Sequence, residues 1–92
     1  MIKSFAEKRT RALFETGKSR RWNSIARVAV RKLVQIDSVA TLDELNVPPG
    51  NRLEVLRGDR AGLHSIRIGD QWRICFRWEG DGVYDVEIVD YH

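Results

Sequence analysis

The stretch QWRICFRW, residues 71–78, decides the fold of this 92-residue chain. Large apolar side chains occupy every second position, and arginine or cysteine lies between them. Successive side chains of a β-strand point to opposite faces of the sheet, so this alternation predicts a strand with one buried face. The face with the large apolar residues would carry Trp72, Ile74, Phe76 and Trp78, and the opposite face would carry Arg73, Cys75 and Arg77.

Alternating segments on either side of this strand predict an antiparallel meander. RLEVLRG (52–58) and LHSIRIG (63–69) precede it, and EGDG (79–82) predicts a hairpin turn into VYDVEIVDY (83–91). The last strand would place four residues on one face: Tyr84, Val86, Ile88 and Asp90. Because strand pairing anchors a chain end, the C-terminal residues should emerge from a rigid edge of the sheet.

The first half of the chain has helical patterns. AEKRTRALFETGK (6–18) predicts a helix that ends at Gly17, and NSIARVAVRKLVQID (23–37) predicts a second, capped by Asn23 or Ser24. In the second helix a stripe recurs at helical spacing: Ile25, Val28, Ala29, Lys32, Leu33 and Ile36. VPPGNR (47–52) then breaks the pattern. The prediction is one α+β domain over residues 1–92, with N-terminal helices packed on a small, mainly antiparallel sheet.

Positive charge is concentrated near the N-terminus. The chain has a net charge of +3 and a pI of about 9.4, and residues 1–32 hold ten of the sixteen Lys and Arg residues. Arginine forks bind phosphate in a bidentate manner, so a polyanionic partner is one interpretation, and a solvated helical face is the other. No apolar run matches a membrane span or a signal peptide, and one cysteine excludes an internal disulfide. We therefore expect a cytoplasmic protein without a metal site.

Arginines cluster around the turn that follows LHSIRIG. If Arg67 and Arg73 project from the same face of neighbouring strands, they would form a phosphate clamp. The alternative is a solvated sheet face with cross-strand charge pairs, for example to Asp85 or Glu87. The residues alone leave both interpretations open.

The last three residues, Asp90, Tyr91 and His92, all carry groups that can exchange protons. Cleavage of an RNA phosphodiester needs a base for the 2′-hydroxyl, an acid for the 5′-oxygen and cations for the developing charge. Together with Glu54 the terminal residues supply these acid and base types. The alternative is a solubilising tail. His64 has the strand parity of Ile66, which favours a packing role.

Four segments together resemble the HigB toxins of bacterial type II toxin–antitoxin modules, members of the RelE-like superfamily. These are MIKSF (1–5), LRGDRAG (56–62), SIRIGDQWRICFRW (65–78) and VEIVDYH (86–92). The resemblance spans essentially the whole chain. It implies a small α+β ribonuclease that cleaves mRNA in the ribosomal A site without a metal or cofactor. It also implies a HigA-like helix-turn-helix antitoxin, through which alone the toxin would be brought to operator DNA.

The resemblance also implies site residues. Matched position by position, the catalytic surface of the family corresponds to Arg73, Asp90, Tyr91 and His92, with Arg57 in place of a lysine. Arg67 would assist in phosphate binding, and Arg20 and Arg21 in the basic half would contact ribosomal RNA.

The chain departs from the family at Glu54, where many relatives have histidine. A carboxylate can act as a base, but its ordinary pKa of about 4.3 makes it a weak one. Glu54 would therefore either replace the base or orient an arginine while Asp90 and His92 handle protons. A non-catalytic RNA- or protein-binding module on the same fold is the alternative function.

Overall fold

A four-stranded antiparallel sheet carries two helices, which confirms the predicted α+β class. The computed structural model describes residues 1–91, including the backbone but not the side chain of Arg60. The helices are α1 (Lys8–Thr16) and α2 (Ala26–Ser38), and the strands are β1 (Glu54–Val55), β2 (Leu63–Arg67), β3 (Trp72–Glu79) and β4 (Gly82–Asp90). The strands pair in chain order, β1-β2-β3-β4, as a meander.

The N-terminal segment lies along the free edge of β4. Ile2 and Phe5 form isolated parallel bridges with Val83 and Val86. β4 is therefore flanked by β3 on one edge and by the N-terminal segment on the other. Among the described residues, no helix is long and apolar enough to cross a membrane.

The core lies between the helices and one face of the sheet. Its fully buried members include Leu13 of α1, Leu33 and Ile36 of α2, and Ile66 and Phe76 of the sheet. Burying a side chain of this size contributes about 1.5–3 kcal/mol each, so the helices are held mainly by this layer. The apolar stripe predicted for α2 and the apolar face predicted for β3 are the two surfaces that meet here.

The helix ends agree with the sequence in part. Gly17 closes α1 in the left-handed conformation, at φ 75°, and this confirms its predicted role. The cap predicted for α2 at Asn23 or Ser24 is wrong, because Ile25 precedes the helix and no side chain caps it. Buried Trp22 explains the difference: its carbonyl accepts a hydrogen bond from the Ile25 amide at 3.0 Å, which makes residues 21–25 a turn.

A bulge in β4 changes which residues share a face. Between the pairs Arg77–Tyr84 and Cys75–Glu87, β4 has one residue more than β3. Asp85 absorbs it with φ 56°, a left-handed conformation that aspartate tolerates better than most residues. Val83 and Val86 are consequently both buried, and the prediction that Tyr84 shares the face of Val86 is wrong.

Candidate active site

Arg73 lies at the centre of a cluster of functional side chains on the sheet face opposite the helices. It pairs directly with Arg67 across β2 and β3, and with Val89 across β3 and β4. Arg67 and Arg73 therefore project from the same face, which is the condition for a phosphate clamp, and the clamp itself stays a prediction. The expectation that this face is merely solvated is wrong for Arg73, which is only 5% exposed.

The guanidinium of Arg73 is held by neutral oxygen atoms. Its Nε donates to the Ser65 hydroxyl at 2.8 Å, and its Nη2 donates to the carbonyls of Ser65 at 3.1 Å and Arg52 at 2.5 Å. Neutral acceptors fix the orientation of the fork without cancelling its charge. A buried arginine held in this manner remains an electrostatic site for an anion.

The loop between α2 and β1 supplies one of these acceptors. Asn51 is fully buried and anchors the loop through Nδ2, which donates to the Leu45 carbonyl at 3.1 Å. The next residue, Arg52, adopts a left-handed conformation at φ 46°. Such a conformation costs a non-glycine residue roughly 1–3 kcal/mol, and here its carbonyl accepts from Arg73. Neither Ser65 nor Arg52 was predicted to be a site residue, although Ser65 has the strand parity of Arg67.

Glu54 and Tyr91 flank the remaining nitrogen and the face of the fork. Glu54 Oε1 lies 3.9 Å from Arg73 Nη1, a loose ion pair whose carboxylate side is 48% exposed. The guanidinium carbon lies 5.2 Å from the centre of the Tyr91 ring, within cation–π range. Within residues 1–91, Nη1 lies 3.9 Å from the Glu54 carboxylate, whereas Nε and Nη2 donate short hydrogen bonds to Ser65 and Arg52. Nη1 is thus the nitrogen best placed to donate a hydrogen bond to a phosphate oxygen.

The other arginines of the cluster are differently engaged. Arg67 is partly buried, and its Nε donates to the Gly69 carbonyl at 3.0 Å while Nη2 pairs with Asp70. Arg57 is exposed and precedes the turn Gly58–Arg60. Arg77, farther along β3, forms ion pairs with Asp85 and Glu79 at 3.2 Å each. For Arg77 the predicted cross-strand charge pair to Asp85 is confirmed.

The strand register separates Asp90 from Arg73. Asp90 pairs with Trp72, so both side chains lie on the same face of the sheet, whereas Arg73 and Val89 lie on the opposite face. Asp90 is exposed, and its carboxylate accepts a hydrogen bond from the Gln71 side-chain amide at 3.0 Å. The Tyr91 amide donates to the Gln71 carbonyl at 2.6 Å. This pairing confirms the anchored chain end as far as Tyr91, and His92 lies outside the described residues.

The basic loop between the helices reaches the same end of the sheet. Trp22 contacts Trp72 edge to face, with ring centres 6.3 Å apart, and Trp72 is the neighbour of Arg73 in the chain. Arg20 and Arg21 flank this contact and are exposed, with the Arg21 guanidinium 5.6 Å from the Trp22 ring centre. An open groove of about 730 Å³ runs past Arg20. Because Trp72 and Arg73 are on opposite faces of β3, the two arginines are not part of the Arg73 cluster.

Two groups have shifted pKa values because of burial. Burial, with added repulsion from Arg31, Arg67 and Arg73, lowers the pKa of Lys32. Burial also lowers the pKa of His64, whose ring stacks on Phe76 at 5.9 Å. The stacked, partly buried ring agrees with the packing role predicted for His64. A lysine within the apolar stripe of α2 was visible in the sequence, but its position next to the arginines was not.

Comparisons with known proteins agree with this architecture. Residues 3–92 match the family described as RelE-like toxin of type II toxin-antitoxin system HigB. Toxin HigB-1 from Vibrio cholerae is 36% identical, with all of this chain and 98% of the relative aligned. Endoribonuclease HigB from Proteus vulgaris is also 36% identical, over the full length of both chains.

Solved structures show the same fold. A YoeB/ParE toxin from Agrobacterium tumefaciens has a TM-score of 0.56 at 21% identity, covering 98% of this chain and 99% of that one. A YoeB dimer from Staphylococcus aureus has a TM-score of 0.55 at 14% identity, covering 99% and 94%. At these identities the likeness concerns the fold alone, and it confirms the predicted RelE-like architecture. With the full-length family match, it follows that the chain belongs to the HigB-like family of RelE-like toxins from type II toxin–antitoxin systems.

Proposed function

We propose that this protein is a ribosome-dependent, metal-independent endoribonuclease that cleaves mRNA and thereby inhibits translation and growth. The observation that supports this most directly is the buried guanidinium of Arg73, fixed by neutral oxygens with Nη1 toward the exposed Glu54 carboxylate. The full-length relative from Proteus vulgaris that is named an endoribonuclease gives the reaction class.

Arg73 would stabilise the negative charge that develops on the scissile phosphate. When the 2′-oxygen attacks phosphorus and the bond to the 5′-oxygen breaks, charge accumulates on the non-bridging oxygens. A preorganised cation that needs no reorientation is the most effective group for this charge. Arg67, directly opposite on β2, and Arg57 at the exposed rim would bind the neighbouring phosphates.

The proton transfers would belong to groups around this cation. Glu54 lies next to Nη1 and could accept the 2′-hydroxyl proton, or it could orient Arg73. Asp90 lies on the face of the sheet opposite Arg73, and its carboxylate accepts a hydrogen bond from Gln71. This placement favours an orienting role for Asp90 over direct proton abstraction. His92 follows Tyr91 in the sequence, and a histidine side chain is the type of group that commonly serves as acid or base near neutral pH. Tyr91, 43% exposed over Arg73, would stack on a nucleotide base.

The partners follow from the same proposal. The ribosome would hold the mRNA, and the basic half of the chain would contact ribosomal RNA. A HigA-like helix-turn-helix antitoxin would neutralise the toxin in the cytoplasm and alone mediate contact with operator DNA. The sheet face around Arg73 or the helical surface would receive that antitoxin.

The test of the function is a cleavage assay with defined ribosomal complexes. Purified protein is incubated with mRNA alone and with the same mRNA on ribosomes, in the presence of a chelator selective for transition metals that leaves the ribosomal Mg²⁺ in place, and cuts are mapped by primer extension. We expect specific cuts with ribosomes only, unaffected by the chelator. Ribosome binding without cuts would instead support a non-catalytic RNA-binding module.

Reversing both loop arginines, Arg20→Glu with Arg21→Glu, should weaken ribosome binding and its dependence on salt. Each phosphate contact contributes roughly 0.7–0.9 to the slope of log affinity against log salt, so losing two should reduce the slope by about 1.4–1.8. Both residues are exposed, so the fold should persist. The double lysine variant, which retains the charges, is the matched control and should keep the slope. A slope that does not change in the double reversal would mean that these arginines are only a solvated face.

A further inference from the structure

Lys32 is a buried cation that the proposed chemistry does not yet use. It lies in the apolar stripe of α2 and is only 8% exposed. Its ammonium donates to the backbone carbonyl of Arg67 at 2.6 Å. Because β1 pairs with β2 only at Ser65 and His64, that carbonyl lies beyond the end of β1. Lys32 therefore ties the end of β2 to α2 at the residue that faces Arg73.

The charges around Lys32 are mostly of its own sign. Arg31 from its own helix, Arg67 from β2 and Arg73 from β3 all repel its ammonium. The carboxylates of this region lie on the arginines, Glu54 by Arg73 and Asp70 by Arg67, while Lys32 donates to a neutral carbonyl. An apolar residue in this stripe would avoid burying a charge beside like charges. The arrangement is favourable where an anion binds, since the anion relieves the repulsion among Lys32, Arg67 and Arg73.

We propose that Lys32 is a positioning residue of the RNA site, which aligns Arg67 through its carbonyl and adds a buried charge to the Arg67–Arg73 pair. Lys32 itself does not touch the substrate, and its effect reaches the phosphate through the two arginines. The inference rests on the proposed function, because it names the phosphate of bound RNA as the anion.

The proposal predicts how RNA affinity depends on pH. In the free protein the pKa of Lys32 is lowered from its ordinary value, chiefly by burial. A bound phosphate favours the charged ammonium, so binding raises that pKa and takes up protons. Affinity is then greatest below the pKa of the free protein, and it declines as pH rises through that value. An arginine at the same position would stay charged and should remove the decline.

The experiment compares Lys32→Met, which keeps most of the apolar stem, with Lys32→Arg. The probe is a single-stranded oligonucleotide in which 2′-deoxyribose at the cut site prevents cleavage. Affinity is measured from neutral to alkaline pH, with Arg77→Met as the control for loss of one partly exposed cation. For Lys32→Met we expect affinity at neutral pH to fall roughly 5–150-fold, the usual range for coupled groups, and the alkaline decline to disappear. For Lys32→Arg we expect affinity to be retained without the decline.

The outcomes separate this inference from the function it rests on. If the unmodified protein cleaves mRNA and Lys32→Met binds the oligonucleotide as well as the unmodified protein does, Lys32 is structural and the inference is overturned. If Lys32→Met does not fold, an alkaline decline that persists in Lys32→Arg overturns it equally. If the unmodified protein does not bind the oligonucleotide, the inference is overturned while the proposed function stands. Failure to cleave mRNA on ribosomes would overturn the proposed function separately.

Discussion

Arg73→Ala should reduce ribosome-dependent mRNA cleavage by about 10²–10³, the usual effect of removing a group that stabilises charge in a transition state. Ser65 and Arg52 fix the guanidinium before substrate binds, so the group does not have to reorient during the reaction. Cleavage is measured as a single-turnover rate on ribosomes carrying a defined mRNA. Ribosome binding should be retained, because the basic loop lies apart from this side chain.

The burial of Arg73 requires a second variant and a matched control. Alanine also leaves the carbonyl of Arg52 without its donor and opens a cavity, so the melting temperature should fall. Arg73→Lys keeps a charge but cannot span the three oxygen acceptors, and it should also cleave slowly while remaining more stable. Arg77 lies on the same face of β3 as Arg73 but is paired with Asp85. The Arg77→Ala variant should therefore cleave mRNA normally. A folded Arg73→Ala variant with normal cleavage would contradict the proposed role.

The meander and the helices could be predicted because they follow from periodicity. Alternation in β3 set its faces and helical spacing in α2 set its apolar stripe, and each pattern corresponds to a buried surface. The bulge at Asp85 was not predictable, since one additional residue inverts the alternation without a change in composition. The predicted cap of α2 was wrong because the burial of Trp22 overrides the preference of Asn23 and Ser24 for the helix N-cap position.

The site was predictable only where strand register controls it. The common face of Arg67 and Arg73 follows from a short turn between neighbouring strands, and register places Asp90 opposite that face. The burial of Arg73 depends instead on the irregular loop before β1, where Asn51 and Arg52 act through backbone geometry. Lys32 approaches from a helix 35 residues away in sequence, a long-range contact that neither segment predicts by itself.

Removal of His92, to give a chain ending at Tyr91, should lower cleavage by roughly 10²–10⁴, the contribution of one general acid or base. Tyr91, the last described residue, is tied to Gln71 and lies over Arg73, and His92 follows it in the sequence. Since Asp90 lies on the other face of the sheet, the proposed proton transfers near the phosphate would fall to His92 and Glu54. The strand is paired with β3 as far as Asp90, and the melting temperature should therefore hardly change.

The chain contains a matched control for this deletion in its second histidine. His64 stacks on Phe76 and burial lowers its pKa, so His64→Gln should leave the dependence of cleavage on pH as it is in the unmodified protein. The truncated chain should lose the part of the pH profile that titrates near the ordinary histidine pKa of about 6.5. Both rates are measured on the same ribosomal complex from acidic to alkaline pH. Full activity with an unchanged profile in the truncated chain would assign the proton transfers to Glu54, whereas a collapsed melting temperature would make the terminus structural.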